Sequence, residues 1–238
     1  MLFERIAEMA LFLSHRGESD DAPENTVAAY RLAMDRDSDG IELDIRLTSD
    51  KYLICVHDSD LKRVAGVPLK ISENTLADLR KYHPVPLLKE MLAVLKPGKH
   101  LQIELKGDDP AIVPALKSVL TEAGTDPSQL ALSSFEESTI SLAAGAFPGL
   151  PRLILTDLTS LFGVFPSAGQ VAEYLKKLHC TGVSFKADAA ATVDFVKSLH
   201  EKGFRVVCWG VFSDEIGLPV SDTGLVLPSG ASSFWRRK

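Results

Sequence analysis

Short runs of apolar and β-branched residues recur at 11–14, 40–47, 101–106, 130–134, 152–156, 182–185, 205–211 and 224–227. Each has the length of a strand, and several are nearly continuous in apolar residues, the pattern of a strand covered on both faces. Between them lie segments with apolar positions three and four apart, at 24–37, 86–95, 110–123, 136–146, 168–178 and 189–202, which predict amphipathic helices. Pro110 heads one of these segments, and Gly124 and Gly203 stand just past the ends of two, the usual start and stop punctuation of helices. Eight strand segments alternating with helices predict an α/β fold with a parallel sheet, and that number favours a (β/α)8 TIM barrel over a doubly wound sheet. At 238 residues the chain is near the small end for such a barrel, so some part must be abbreviated. The stretch 212–223, rich in Gly, Pro and Asp, is too short for a full helix and places the abbreviation in the C-terminal part.

One further apolar run, 52–57, follows the second strand through Thr48-Ser49-Asp50-Lys51 and predicts a hairpin. The stretch 58–85 then reads as a small excursion over the barrel mouth before the next helix. No repeat, linker or break in composition divides the chain, so residues 1–238 are expected to form a single domain.

With 45% hydrophobic and 24% charged residues the chain can bury a large core. Its net charge of −6 argues against nucleic acid or an anionic membrane as the main partner, since both need a basic face. A small anionic substrate is compatible with that charge if a metal and a few cations reverse the sign locally. Cys55, Cys180 and Cys208 each sit inside an apolar run and read as buried thiols; their odd number and wide spacing suit neither a disulfide framework nor a zinc site. No stretch approaches the ~20 apolar residues of a membrane span, and residues 1–10 carry Glu4, Arg5 and Glu8 where a secretory leader has a basic region and then a clean apolar one. The expected location is cytoplasmic, with no stable membrane insertion.

Candidate chemistry gathers at strand ends. The run Leu11-Phe12-Leu13-Ser14 stops at His15-Arg16-Gly17, and the C-terminal ends of barrel strands open on the active-site mouth. Glu42 and Asp44 are two residues apart on the second strand, so they share one face while Ile41, Leu43 and Ile45 take the other. Two carboxylates facing a barrel interior repel each other and resist desolvation, and a divalent cation relieves both problems. The same alternation also fits a solvated edge or an ion pair with Arg46. Glu104 repeats the geometry on the next barrel strand with Lys106 on its face, giving three carboxylates for one ion. An all-oxygen shell suits Mg2+ or Ca2+ better than zinc. His57 emerges where the hairpin returns to the mouth, and two histidines flanking a metal can act as general base and general acid. Arg16 and Lys106 supply charge and donors for phosphate oxygens. His83, His100, His179 and His200 lie in a loop, at the opposite end of a strand, and at helix ends, where structural roles suffice.

These motifs resemble the glycerophosphodiester phosphodiesterases, a TIM-barrel family related in fold and mechanism to the phosphatidylinositol-specific phospholipases C. The match runs through His15-Arg16-Gly17, Pro23-Glu24-Asn25-Thr26, Glu42-Leu43-Asp44 and Val56-His57-Asp58 with Leu61 and Arg63 behind it. It continues through Val85-Pro86-Leu87-Leu88-Lys89-Glu90, Ile103-Glu104-Leu105-Lys106, Ser133-Ser134-Phe135 and Val206-Val207-Cys208-Trp209. The resemblance implies His15 and His57 as the catalytic pair, Glu42, Asp44 and Glu104 as ligands of one Mg2+ or Ca2+, and Arg16 and Lys106 as phosphate contacts. It also implies hydrolysis of a glycerophosphodiester to glycerol 3-phosphate and an alcohol. Two departures touch the outer pocket: Gly224-Leu225-Val226-Leu227-Pro228 lacks the family's Thr-Asp, and Trp209-Gly210 replaces its Trp-Thr. Phe185 and Trp209, at the ends of their strands, are either an apolar pocket wall or core. Two other readings stay open: a lysophospholipase D using Leu161-Phe162-Gly163-Val164-Phe165 as an apolar rim, and a phosphate-binding barrel without catalysis.

Overall fold

The structure, a computed structural model, describes residues 11–36 and 38–210, together with the backbone of 224–227. Nine strands form one sheet: β1 Leu11–His15, β2 Gly40–Leu47, β3 Leu53–Cys55, β4 His100–Leu105, β5 Leu130–Ser134, β6 Arg152–Thr156, β7 Gly182–Lys186, β8 Arg205–Trp209 and β9 Gly224–Leu227. All but β3 run parallel in the order β1-β2-β4-β5-β6-β7-β8-β9, and β9 pairs back onto β1. The sheet therefore closes into the expected eight-stranded barrel, and β3 hangs antiparallel from β2 as the hairpin. That hairpin strand is three residues long, shorter than the apolar run 52–57.

The helices are α1 Val27–Asp35, α2 Lys62–Ala65, α3 Leu76–Leu79, α4 Leu88–Leu92, α5 Ile112–Ala123, α6 Glu137–Ala146, α7 Leu158–Phe162, α8 Ala168–Lys177 and α9 Val193–Glu201. Local chemistry sets their ends. The Ser167 hydroxyl and the Gln170 side chain form a reciprocal cap at the start of α8, satisfying amides that the first turn leaves free. Helix α1 begins at Val27 instead of 24, because the Thr26 side chain accepts from Ala29 N and Asn25 takes a left-handed backbone with φ 57° that no helix can contain. The stretch 58–85 contains the short helices α2 and α3 and has a small core of its own, with Leu61, Ile71, Leu76, Leu79 and Val85 packed on Ile54 and Val56 of the hairpin. The stretch 212–223, and with it the abbreviated C-terminal part, lies outside the described residues.

Alternation divides the barrel strands into two populations. Ile41, Leu43, Ile45, Ile103, Leu132, Val183 and Phe185 join the helices in the main core. Their neighbours face the lumen, where Leu13, Leu153 and Val207 meet from three different strands. Above that apolar plug the lumen is polar: Glu42, Asp44, Gln102, Glu104, Ser133 and Ser184 are all buried. The barrel thus concentrates polar groups at its C-terminal end, while His100 lines a separate cavity at the other end. Cys55, Cys180 and Cys208 are free and buried. No helix among the described residues is long and apolar enough to cross a membrane.

The closeness of β2 and β4 depends on Gly40, where a Cβ would lie 2.0 Å from the backbone oxygen of His100. Gly40→Ala is expected to force the strands apart at a cost of about 1–3 kcal/mol, lowering Tm by roughly 2–10 °C. Gly145→Ala, in α6 with open space around it, should be neutral or gain up to about 1 kcal/mol. Thermal denaturation of the two variants checks the contrast.

Candidate active site

The site is assembled from β1, β2, the hairpin return and β4. Register places His15 beside Glu42 and Asp44 beside Glu104, so the side chains selected from the sequence meet at one level of the lumen. Arg16 is held in a left-handed conformation with φ 58°, its N donating to Glu42 O at 2.8 Å and its O accepting from Asn25 N at 2.9 Å. A non-glycine residue held there stores strain of a kind that clusters at functional sites. Gly17 completes the bend, because a Cβ at that position would lie 2.7 Å from Ala29 of α1.

Asp44, fully buried, is the hub. It receives Arg16 Nε at 3.1 Å and Lys106 Nζ at 3.0 Å. Asn25 clasps it twice, donating from Nδ2 to its carboxylate at 2.9 Å and accepting from its backbone N at 3.1 Å. Burial alone would raise the Asp44 pKa, but Lys106 and Arg16 hold it below the usual range. Burial followed by repulsion from Asp44 and Glu104 drives Glu42 well above the usual carboxylate range. Burial raises Glu104 to about 7 despite Lys106, whose Nζ is 2.6 Å away. Arg46 does not pair with these acids; its Nε donates to His57 O at 2.8 Å and fixes the hairpin return.

His15 Nε2 stands 3.8 Å from Glu42 Oε2, and burial, reinforced by Arg16, pulls its pKa down to about 4. His57 is lowered by burial, against the opposing effects of Asp44 and Asp58. Its Nδ1 lies 2.6 Å from Asp58 Oδ1. Burial would raise Asp58, but hydrogen bonds from Arg63 and His57 pull it down to about 2. As an ionised acceptor Asp58 fixes the His57 proton on Nδ1 and leaves Nε2 for chemistry. Arg63 in turn forks onto both oxygens of Glu24 at 2.8 and 2.7 Å, and Glu24 Oε1 meets Arg16 Nη1 at 3.3 Å. A continuous chain of charge therefore runs from His57 through Asp58, Arg63, Glu24 and Arg16 to Asp44.

These groups open onto a cavity of about 300 Å3 that is lined by His15, Arg16, Glu42, His57, Gln102, Glu104 and Lys106 on one side and by Phe135, Leu155, Lys186 and Trp209 on the other. Trp209 is a wall residue. Phe185 is not: it is fully buried and packs edge-on against Phe165 and Phe195 in the helix layer, because the two-residue alternation of β7 gives the lumen to Ser184 and Lys186. Glu24, Asn25, Asp58 and Arg63 belong to the motifs that carry the family resemblance, and the structure gives each a partner. The His-Asp adjacency at 57–58 was the available signal for an oriented imidazole; the Arg63 to Glu24 bridge, 39 residues apart, had none.

One carboxylate oxygen from each of Glu42, Asp44 and Glu104 lies within 4.8 Å of the others, a spacing that could hold a metal ion. Glu42 Oε2, Asp44 Oδ1 and Glu104 Oε1 are buried and accept no well-directed hydrogen bond, although Lys106 approaches the latter two as an ion pair. Buried anions with unused lone pairs are costly, and a hard divalent cation fits that donor set.

Comparison with known proteins bears on the family and the fold. The model of the glycerophosphoryl diester phosphodiesterase family matches residues 15–224. YhdW of Bacillus subtilis (strain 168), assigned by its name to the glycerophosphodiester phosphodiesterases, is 30% identical over 233 residues, covering 90% of each chain. Among solved structures, the glycerophosphodiester phosphodiesterase of Thermotoga maritima superposes with a TM-score of 0.78 at 24% identity over 96% of this chain and 98% of its own. A phosphodiesterase of Oleispira antarctica, solved with the product sn-glycerol-3-phosphate, gives 0.78 at 23% identity over 98% of each; at these identities the two structures speak for the fold. This chain belongs to the glycerophosphoryl diester phosphodiesterase family, and its relatives are phosphoric diester hydrolases.

Proposed function

We propose that this protein hydrolyses glycerophosphodiesters to glycerol 3-phosphate and an alcohol, with one divalent cation, Mg2+ or Ca2+, held by Glu42, Asp44 and Glu104. The observation that carries the reading is the convergence of two imidazoles on a buried three-carboxylate cluster inside one cavity. The glycerol 3-phosphate bound to the Oleispira relative supports the product side. When bound, the cation supplies Lewis acidity toward the phosphoryl oxygens. Arg16 and Lys106, already beside Asp44, complete the positive surface on which a phosphate rests. His15 and His57 form the acid and base pair of this reading; burial lowers both, and Asp58 opposes that effect at His57. His15, kept neutral by burial and Arg16, takes the proton of the attacking hydroxyl. His57 takes the acid role toward the leaving alkoxide, with Asp58 on its Nδ1 opposing the effect of burial. The same residues serve whether water or a substrate hydroxyl attacks first.

A lysophospholipase D is the second reading, favoured by Leu161 and Val164, which are exposed beyond the end of β6. Phe162 and Phe165 of the same run pack against the core, so the apolar rim is narrow and this reading takes second place. Turnover of glycerophosphocholine well above that of lysophosphatidylcholine is expected, and the reverse order would install the lipid substrate.

Chelation should abolish release of glycerol 3-phosphate, and His15→Ala or His57→Ala should each lower kcat about 10²–10⁴-fold. Steady-state assays with unchanged turnover in either variant would remove that residue from the mechanism. Cation binding should compete with protons. Burial raises Glu42 well above the usual range and Glu104 to about 7, so below about 7 Glu104 holds a proton that a cation must displace, and affinity should rise as pH climbs through 7. Calorimetric titration with Mg2+ at several pH values checks the sign; a flat profile would speak against these ligands.

A further inference from the structure

Lys186 ends β7, and register sets it beside Trp209 on β8. Because Phe185 turns outward, Lys186 stands on the lumen side and lines the cavity with Leu155 and Trp209. Around the ring β7 is four strands from β2, and β8 is four strands from β4. In a barrel of eight, the Lys186–Trp209 wall therefore faces the carboxylate cluster directly across the mouth.

The cations on the near side are committed: Arg16 to Asp44 and Glu24, Lys106 to Asp44 and Glu104. Lys186 is different. Its partner is Asp157 at 3.3 Å, with side chains 55% and 32% exposed, a surface pair that holds the ammonium only weakly. Asp157 is itself engaged in capping α7 through Ser160 N. Among the described residues, the far wall offers little to a positively charged group. Phe135 already has Lys106 Nζ 5.7 Å from its ring centre and meets Trp209 edge-on at 5.8 Å, so it does not form an open aromatic cage. The acids lining the cavity, Glu42 and Glu104, belong to the opposite side.

We propose that Lys186 is a specificity residue that selects diesters whose second alcohol carries an anionic group. With the phosphate at the β2 and β4 side, the carbon skeleton of the alcohol lies along Leu155 and Trp209, and its anionic end meets Lys186 Nζ. A quaternary or primary ammonium in that place would face the Lys186 ammonium, with Asp157 already shared between Lys186 and the cap of α7, so the same side chain discriminates against cationic alcohols. This inference rests on the hydrolase reading for the position of the phosphate.

The test compares three diesters of similar shape: glycerophosphoglycerol phosphate (anionic alcohol), glycerophosphoglycerol (neutral) and glycerophosphocholine (cationic). Binding to the His57→Ala protein with Mg2+ is followed by tryptophan fluorescence, and turnover is measured with the unsubstituted enzyme. The expected affinity order is anionic, neutral, cationic. Lys186→Met should weaken the anionic diester roughly three- to tenfold and leave the neutral one within about twofold, and Lys186→Glu should reverse the order. Tighter binding of glycerophosphocholine than of the anionic diester, an equal loss for all three in Lys186→Met, or no binding of any of them would overturn the inference. Binding in the expected order without turnover of any diester would uphold it while overturning the hydrolase reading.

Discussion

Everything in the upper half of this barrel follows from three carboxylates being taken out of water side by side in the lumen. Register makes the encounter unavoidable: Asp44 and Glu104 are paired residues of adjacent parallel strands, and Glu42 lies one lumen position below Asp44. Coulomb repulsion at such separations in a low-dielectric interior exceeds what packing alone can offset. The fold answers with Arg16 and Lys106 on Asp44, with the double clasp of Asn25, and with raised proton affinity on Glu42 and Glu104. What these leave uncompensated is negative charge that the proposed cation would meet.

The answer has consequences beyond the lumen. To hold Arg16 against Asp44 the chain accepts a left-handed arginine and a left-handed asparagine, and these fix the bend between β1 and α1. Arg16 also meets Glu24, which anchors Arg63 of the 58–85 excursion, and Arg63 pins Asp58 against His57. The excursion is thereby part of the apparatus that sets the tautomer of an imidazole. The links from His57 to Arg16 are charge-assisted hydrogen bonds, the last, from Arg16 to Asp44, is an ion pair, and the chain joins residues from three segments of the sequence.

The lumen is also asymmetric across its width. Among the described residues lining the cavity, charge is dense on the β1, β2 and β4 side, while the β6 to β8 side is apolar apart from Lys186. In the proposed reading, a diester bound between them has its reacting phosphorus at the charged wall and one of its alcohols at the other. Reaction chemistry and alcohol preference would then be carried by different strands, and substitutions on one wall would change what is accepted without touching how it is cleaved.

The sequence by itself determined the barrel, the hairpin and the seven charged or titratable groups of the near wall. Two-residue alternation puts Glu42 with Asp44 and Glu104 with Lys106 on shared faces whatever surrounds them, and strand ends in a closed parallel barrel all open on one mouth. It could not decide which face of β7 looks inward, since Phe185 and Lys186 both end that strand and either is compatible with its short apolar run; only closure of the barrel gave the lumen to Lys186 and the helix layer to Phe185. Nor could it foresee that Arg63 would reach back to Glu24 or that Asn25 would clasp Asp44, because those contacts join segments whose approach is set by loops without periodicity. Local pattern encodes which side of an element a residue occupies, and the identity of the neighbour on that side is a property of tertiary packing.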